Sequence, residues 1–312
     1  MFNAGLIAHA QWFVDPHHAY PVQWQSLGST STIAAVGATT LLGLAIVAAS
    51  RSIPPAVLIP FKRLAGLVDG APRLIGVTLG LGLIGLSVLG SVLAPSSPAA
   101  TIPLGAVLIG AQAVLGAWLV LGLAPGRAAL GVMAFTAIAA VLVDPIVVLQ
   151  AAYVPASAMA LLALAGTGSA RASAPATVAT SLRLGMGVAL IAVAMTEKLA
   201  APAITETVLG SHPELNVLAV LGIGADPETF TLAAGCVEIL LGLLLLAGTA
   251  PQVVALAVLF PFVATLPLFG VTELVGHLPI YGTLLTLAAL APLPVVDAAI
   301  RVPASAQPLG ST

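Results

Sequence analysis

RLGMGVALIAVAMTEKL, residues 183–199, decides the fold of this chain. It opens on Arg183, runs apolar for most of a bilayer's thickness, and ends by setting a carboxylate, Glu197, beside an ammonium, Lys198. Crossing the hydrocarbon core takes roughly 20 apolar residues as a helix, whereas barrel strands alternate apolar and polar positions. This run does not alternate, so it reads as a helix. Its setting agrees: 60% of the 312 residues are hydrophobic and 6% are charged, against about 25% charged in soluble domains. The composition excludes a soluble domain and predicts an all-α, polytopic membrane helical bundle, since backbone groups in lipid must bond within their own segment. The net charge of −2 carries no message about partners, and no basic patch suggests nucleic acid. The one cysteine, Cys236, excludes an intramolecular disulfide and reads as a packing residue. The N-terminus lacks a cationic region, so no cleaved signal peptide is predicted.

Working outward, apolar stretches fall at 33–50, 74–94, 103–123, 128–144, 147–166, 182–201, 230–249, 252–269 and 278–296, which predicts nine spans. Asp144-Pro145 divides the fourth from the fifth by a short turn. With nine spans, Arg51, Lys62, Arg63, Arg73, Arg127, Arg171, Arg183 and Arg301 all lie on one side. The positive-inside rule makes that side cytoplasmic. The expected location is therefore the cytoplasmic (inner) membrane, with the N-terminus outside and the C-terminus inside. All five histidines, with Asp15, Asp144, Glu206, Glu214, Asp226, Glu228 and Glu273, then fall on the outer side.

The chain also carries an internal duplication. GAQAVLGAWLVLGLAP (110–125) matches CVEILLGLLLLAGTAP (236–251) at an offset of 126, pairing Gln112 with Glu238, Gly116 with Gly242 and Gly122 with Gly248. Upstream, the Arg73 segment pairs with the Arg183 segment. The organisation that follows is a His/aromatic segment at 1–32, an extra N-terminal helix at 33–50, and two tandem four-helix units at 73–166 and 182–296 in the same orientation, a parallel repeat. The second unit has Glu197-Lys198 where this alignment gives Ser87-Val88 in the first, and Glu273 and His277 where the first has Val147 and Ala151. An ionisable group inside a membrane costs several kcal/mol on insertion scales. Confining such groups to one copy points to use, and makes the first unit a scaffold.

Glu197 follows Arg183 at a spacing that puts both on one helical face. Glu238 stands about 13 Å into its predicted span at about 1.5 Å per residue, and Lys198 is the cation at matching depth. The functional reading of Glu197, Lys198, Glu238, Glu273 and His277 is a proton-handling or quinone-head-group site; the structural reading is an ion pair and hydrogen bonds that fix helix packing. A second set, His9, Asp15, His17 and His18, holds imidazoles and a carboxylate suited to Cu or Zn, though the spacing fits no established ligand motif. Alternatively, with Trp12, Phe13, Tyr20 and Trp24, it is an interfacial aromatic segment or a cap over the outer mouth of the second unit. The acidic stretch 202–229 reads as a solvated loop or a docking surface.

The second unit resembles the DoxX-like family of four-helix membrane proteins. The likeness is carried by Arg183, Lys198 and Leu199, by Gly235, Glu238 and Gly242, and by Gly276-His277-Leu-Pro-x-x-Gly282. It covers about 110 residues well and the first unit loosely. It implies membrane redox chemistry: contact with a quinone, or with a membrane or extracytoplasmic oxidoreductase partner, by an accessory subunit. Any electron-carrying cofactor would sit on another chain, because no haem, flavin or iron–sulfur motif is present. The alternatives are a transporter or metal-handling protein with an outward-facing His/Glu site, and a non-catalytic membrane anchor.

Overall fold

The structure is a computed structural model that describes residues 22–51, 65–94, 97–166 and 169–290. Their regular elements are all helical: α1 Thr30–Ser50, α2 Ala65–Val88, α3 Gly105–Leu121, α4 Pro125–Leu142, α5 Pro145–Gln150, α6 Tyr153–Leu164, α7 Ser169–Val193, α8 Pro202–Ser211, α9 Val217–Val220, α10 Pro227–Ala247, α11 Pro251–Phe269 and α12 Val271–Ala289. A π-helical turn, Ala194–Leu199, continues α7. Among the described residues six helices are long and apolar enough to cross a membrane: α1, α2, α4, α7 with its π turn, α10 and α11. The apolar helices α3 and α6 are shorter. This is a multi-pass helical bundle in contact with lipid. The metal candidates His9, Asp15, His17 and His18 lie outside the described residues.

Predicted span bounds shift in α2 and α7, and two further changes bear on the candidate residues. The stretch 147–166 is two helices that break at Ala151-Ala152. Pro155 supplies the reason, since it has no N–H for the Ala151 carbonyl four residues back and its ring crowds that oxygen. The last helix starts at Val271 rather than 278. Glu273 and His277, which the predicted span bounds leave between the last two spans, are i,i+4 partners buried inside this helix.

The helices pack twice in one pattern. In the first set α2 meets α3, α3 meets α4, and α4 meets α6; in the second α7 meets α10, α10 meets α11, and α11 meets α12. The sets interlock, because α6 packs on α7 and α12 on α2. One buried cluster runs through both, from Ile75, Leu79 and Leu83 to Leu182, Met186, Leu284 and Leu287. Lipid is as apolar as leucine, so close fit rather than water exclusion holds such helices together. Glycines supply it: a Cβ on Gly80 would sit 2.5 Å from the Gly116 oxygen, and one on Gly187 2.8 Å from the Gly242 oxygen.

The arginines close one end of the bundle in matching fashion. Arg73 Nη1 donates to Val120 O at 2.6 Å. Arg183 Nη1 donates to Leu246 O at 2.5 Å and to Leu245 O at 3.1 Å. Val120 and Leu246 are 126 positions apart. The following Gly122 and Gly248 take φ of +71° and +73°, left-handed helix ends that suit glycine.

The crossing glycines correct the pairing of α2 with α7. Gly80 and Gly187 stand 107 positions apart, and so do Thr78, seated on Gly282, and Gly185, seated on Ala156. The arginine alignment implies 110, one helical turn more, a difference absorbed by a long side chain that reaches the same carbonyl from either position. Carried along the sequence, the offset of 107 pairs Glu197-Lys198 with Gly90-Ser91.

Candidate functional site

The ionisable residues gather toward the end opposite the arginines. Lys198 Nζ lies 2.8 Å from Glu238 Oε1 and 3.0 Å from Oε2, so the ammonium bridges both carboxylate oxygens. Lys198 is brought there by the π turn, whose wider winding shows in the Ala200 N–H donating to Met195 O, five residues back. Such turns frequently mark functional positions in α-helices. Glu238 projects from α10 one turn beyond the Gly187–Gly242 crossing. The pair is partly open, at 12% and 27% side-chain exposure.

Glu197 turns inward and is buried. Gln150, the last residue of α5, donates from Nε2 to Thr196 Oγ1 at 2.8 Å and reaches Glu197 Oε1 at 3.4 Å. The break at Ala151-Ala152 ends α5 there and leaves that amide beside α7.

Glu273 and His277 form a third group between α11 and α12. Nδ1 of His277 lies 3.3 Å from Glu273 Oε1 and 3.2 Å from Glu273 O. A carbonyl oxygen only accepts, so this geometry places a proton on Nδ1. Thr265 Oγ1 stands 2.9 Å from the same carboxylate oxygen, and the Phe262 ring lies 4.7 Å from the imidazole. Both Glu273 and His277 are buried. The five residues expected in one site thus divide into three groups, Lys198 with Glu238, Glu197 with Gln150 and Thr196, and Glu273 with His277 and Thr265. Gln150, Thr196 and Thr265 had escaped the sequence reading. Isolated amides and hydroxyls in apolar runs are the signal that marks them.

The counterpart of the Lys198–Glu238 joint is instructive. Gln112, fully buried, donates to Leu83 O, Ser87 Oγ and Ser91 O, and accepts from the Leu93 N–H at 2.9 Å. Gln112 and Glu238 are 126 apart and Ser91 and Lys198 are 107 apart, the two offsets of the crossing. At matching places the first set makes a neutral joint and the second an ionic one.

Outside the helices that span, the stretch 202–229 is more ordered than a solvated loop. Ile204 and Val208 of α8 pack with Leu215 and Phe269. Glu214, Asp226 and Glu228 stay at the surface, and Glu206 is half-buried. Glu214 is held below the usual carboxylate range by its own backbone hydrogen bond and by His212, whose Nδ1 is 3.1 Å away. Asp226 is held low by the Thr229 N–H it caps at 2.7 Å. Among the described residues no group of three or more His, Cys, Asp and Glu is placed to hold a metal.

Comparison with protein-family models, with curated proteins and with solved structures gives no match for this chain.

Proposed function

We propose that this chain is a DoxX-like, nine-span inner-membrane subunit of a redox complex, with its N-terminus outside and its C-terminus inside. The polar end of its second four-helix unit meets a quinone head group or an extracytoplasmic oxidoreductase. The observation that carries the reading is the contrast between Gln112 and Glu238. Gln112 holds the equivalent helix joint with no charge at all, so the charge of Lys198 and Glu238 is surplus to structure. Surplus charge in a membrane helix is costly and speaks for chemistry.

In this reading the Lys198 ammonium donates to a quinone carbonyl, and Glu238 accepts from the hydroxyl formed on reduction. Both side chains are partly open, as contact with a ligand requires. Glu197, Glu273 and His277 are buried and stand apart from this contact. Electrons come from a partner chain. The transporter alternative needs two halves that rock, and the interlocking of α6 on α7 and α12 on α2 favours a fixed frame instead.

The test is purification in mild detergent, with mass spectrometry of the proteins, quinones and metals that travel with the chain. The expected result is an oxidoreductase or quinone that is lost on Glu238→Gln while the helical fold is kept. A chain that comes out alone and empty, or an association indifferent to both Glu238→Gln and His277→Ala, overturns the proposal. Stoichiometric Cu or Zn lost on substituting His9, His17 or His18 would replace it with the metal-handling reading.

A further inference from the structure

The two sets of helices are dressed differently on their lipid faces. In the second, α1 lies along α10: Gly43 fits against Leu240 and Leu243, and Leu27 and Val36 pack with Leu199, Ile239 and Leu232. The short 3-10 turn Trp24–Gly28 anchors its start, with Ser26 Oγ donating to Leu199 O at 2.6 Å and the Gln23 N–H to Ala200 O at 2.6 Å. The first set has no such helix among the described residues. On α3, Ala106, Val107, Gly110, Val114 and Ala117 are exposed, whereas their counterparts 126 positions on, Leu232, Ala233, Cys236, Leu240 and Leu243, are all partly covered. A groove of about 510 Å³ runs along the start of α3 between Gly90, Ala99 and Ile109. Ala106, which lines this groove, stands 126 positions before Leu232, which shares a cluster with Leu27 and Val36, so the groove lies at the first set's counterpart of the place where α1 begins.

We infer that the α3 groove is the seat of one apolar transmembrane helix from a partner chain, lying parallel to α3 as α1 lies parallel to α10. The chain itself shows what fits: an apolar helix with a small residue facing the middle of the groove, as Gly43 faces Leu240 and Leu243. Gly110 has nothing within 4 Å of where a Cβ would be, which leaves room for a neighbouring backbone to come close, the usual way helices associate in lipid. A second copy of this chain is a poor occupant. The repeated packing puts α3 and α10 on opposite sides of the bundle, so a copy inserting its α1 would leave its own groove facing outward. Contacts of that kind run head to tail, into rings or open rows, and not into two-fold dimers. The inference does not depend on what the polar end does.

The test places the photo-crosslinker benzoylphenylalanine at Val107 or Leu121 of the full chain in its native membrane, with exposed Val141 of α4 as control. The expected result is an adduct with one and the same membrane protein from both α3 positions and none from Val141. The Val107 adduct should map near the start of a single apolar helix and the Leu121 adduct near its end. Crowding the exposed α3 face next to the groove by Gly110→Trp, and independently by Val114→Trp, should lower adduct yield about tenfold, the loss that about 1.4 kcal/mol produces. Lipid adducts alone, adducts with a second copy, or yields unchanged by both substitutions would overturn the inference.

Discussion

Ser157 Oγ and Thr283 Oγ1 lie 3.1 Å apart in the buried centre of the bundle, and they are separated in sequence by 126 positions. That is the offset relating 110–125 to 236–251. Equivalent residues touch each other only on a two-fold axis, so this contact marks where the axis relating the two sets passes. Replacing either hydroxyl alone, by Ser157→Ala or Thr283→Ala, should cost about 0.6 kcal/mol, the mean for hydrogen bonds between membrane helices. The double variant should cost less than the sum. Reversible unfolding in mixed micelles measures all three.

The ionic joint and its neutral counterpart predict an asymmetry between single substitutions. Lys198→Met leaves Glu238 without its cation at a place open only in part, and should lower the thermal midpoint in detergent. Glu238→Gln installs the residue that already serves at 112, and should be the milder change. A larger loss for Glu238→Gln would show that the two joints are not equivalent.

Glu273→Ala removes the carboxylate that Thr265 and His277 share. Each keeps a backbone acceptor, Thr265 in Pro261 O and Phe262 O and His277 in Glu273 O, so the expected loss is the net worth of a hydrogen bond, about 0.5–1.5 kcal/mol. Thr265→Val, which removes one hydroxyl and keeps the His277 contact, should cost less.

The helix ends at Gly122 and Gly248 should differ in tolerance. An alanine at either meets the penalty for left-handed backbone, about 1–2 kcal/mol. At 122 its Cβ would also lie 2.7 Å from Arg73 Nη1, against 3.2 Å from Arg183 Nη1 at 248. Gly122→Ala should therefore destabilise more than Gly248→Ala, as thermal unfolding of the two variants will report.

Acid should loosen the stretch 202–229 before the bundle. Glu214 and Asp226 have lowered folded-state pKa values. Their contribution is present in full above the ordinary carboxylate range and is lost as pH falls through that range toward the folded values. Proteolysis between α8 and α10 should rise over this window. Asp226→Ala, which removes the cap on Thr229, should raise cleavage at neutral pH and flatten the dependence.

The helical class of this chain was legible because a membrane demands runs of apolar residues, and a run such as Val188–Ala194 leaves no other reading. Offsets in α3 and α10 were legible too, since glycine and proline fix backbone geometry at Gly122, Gly248, Pro125 and Pro251. Register between α2 and α7 was not. Arg73 and Arg183 look like an alignment anchor, yet a flexible side chain reaches its carbonyl from either of two turns. The π turn at Ala194–Leu199 leaves no trace in composition. The Glu197–Gln150 contact depended on the break that Pro155 makes, which joins residues 47 positions apart.

The Ser157–Thr283 contact also bears on how such a chain is able to diversify. A symmetric dimer of identical subunits must change both sides of its axis with every mutation, so a charge introduced at one joint appears at the other. Carrying both halves in one polypeptide lifts that constraint. One joint keeps the neutral glutamine that holds the frame, while the other is free to carry a lysine and a glutamate.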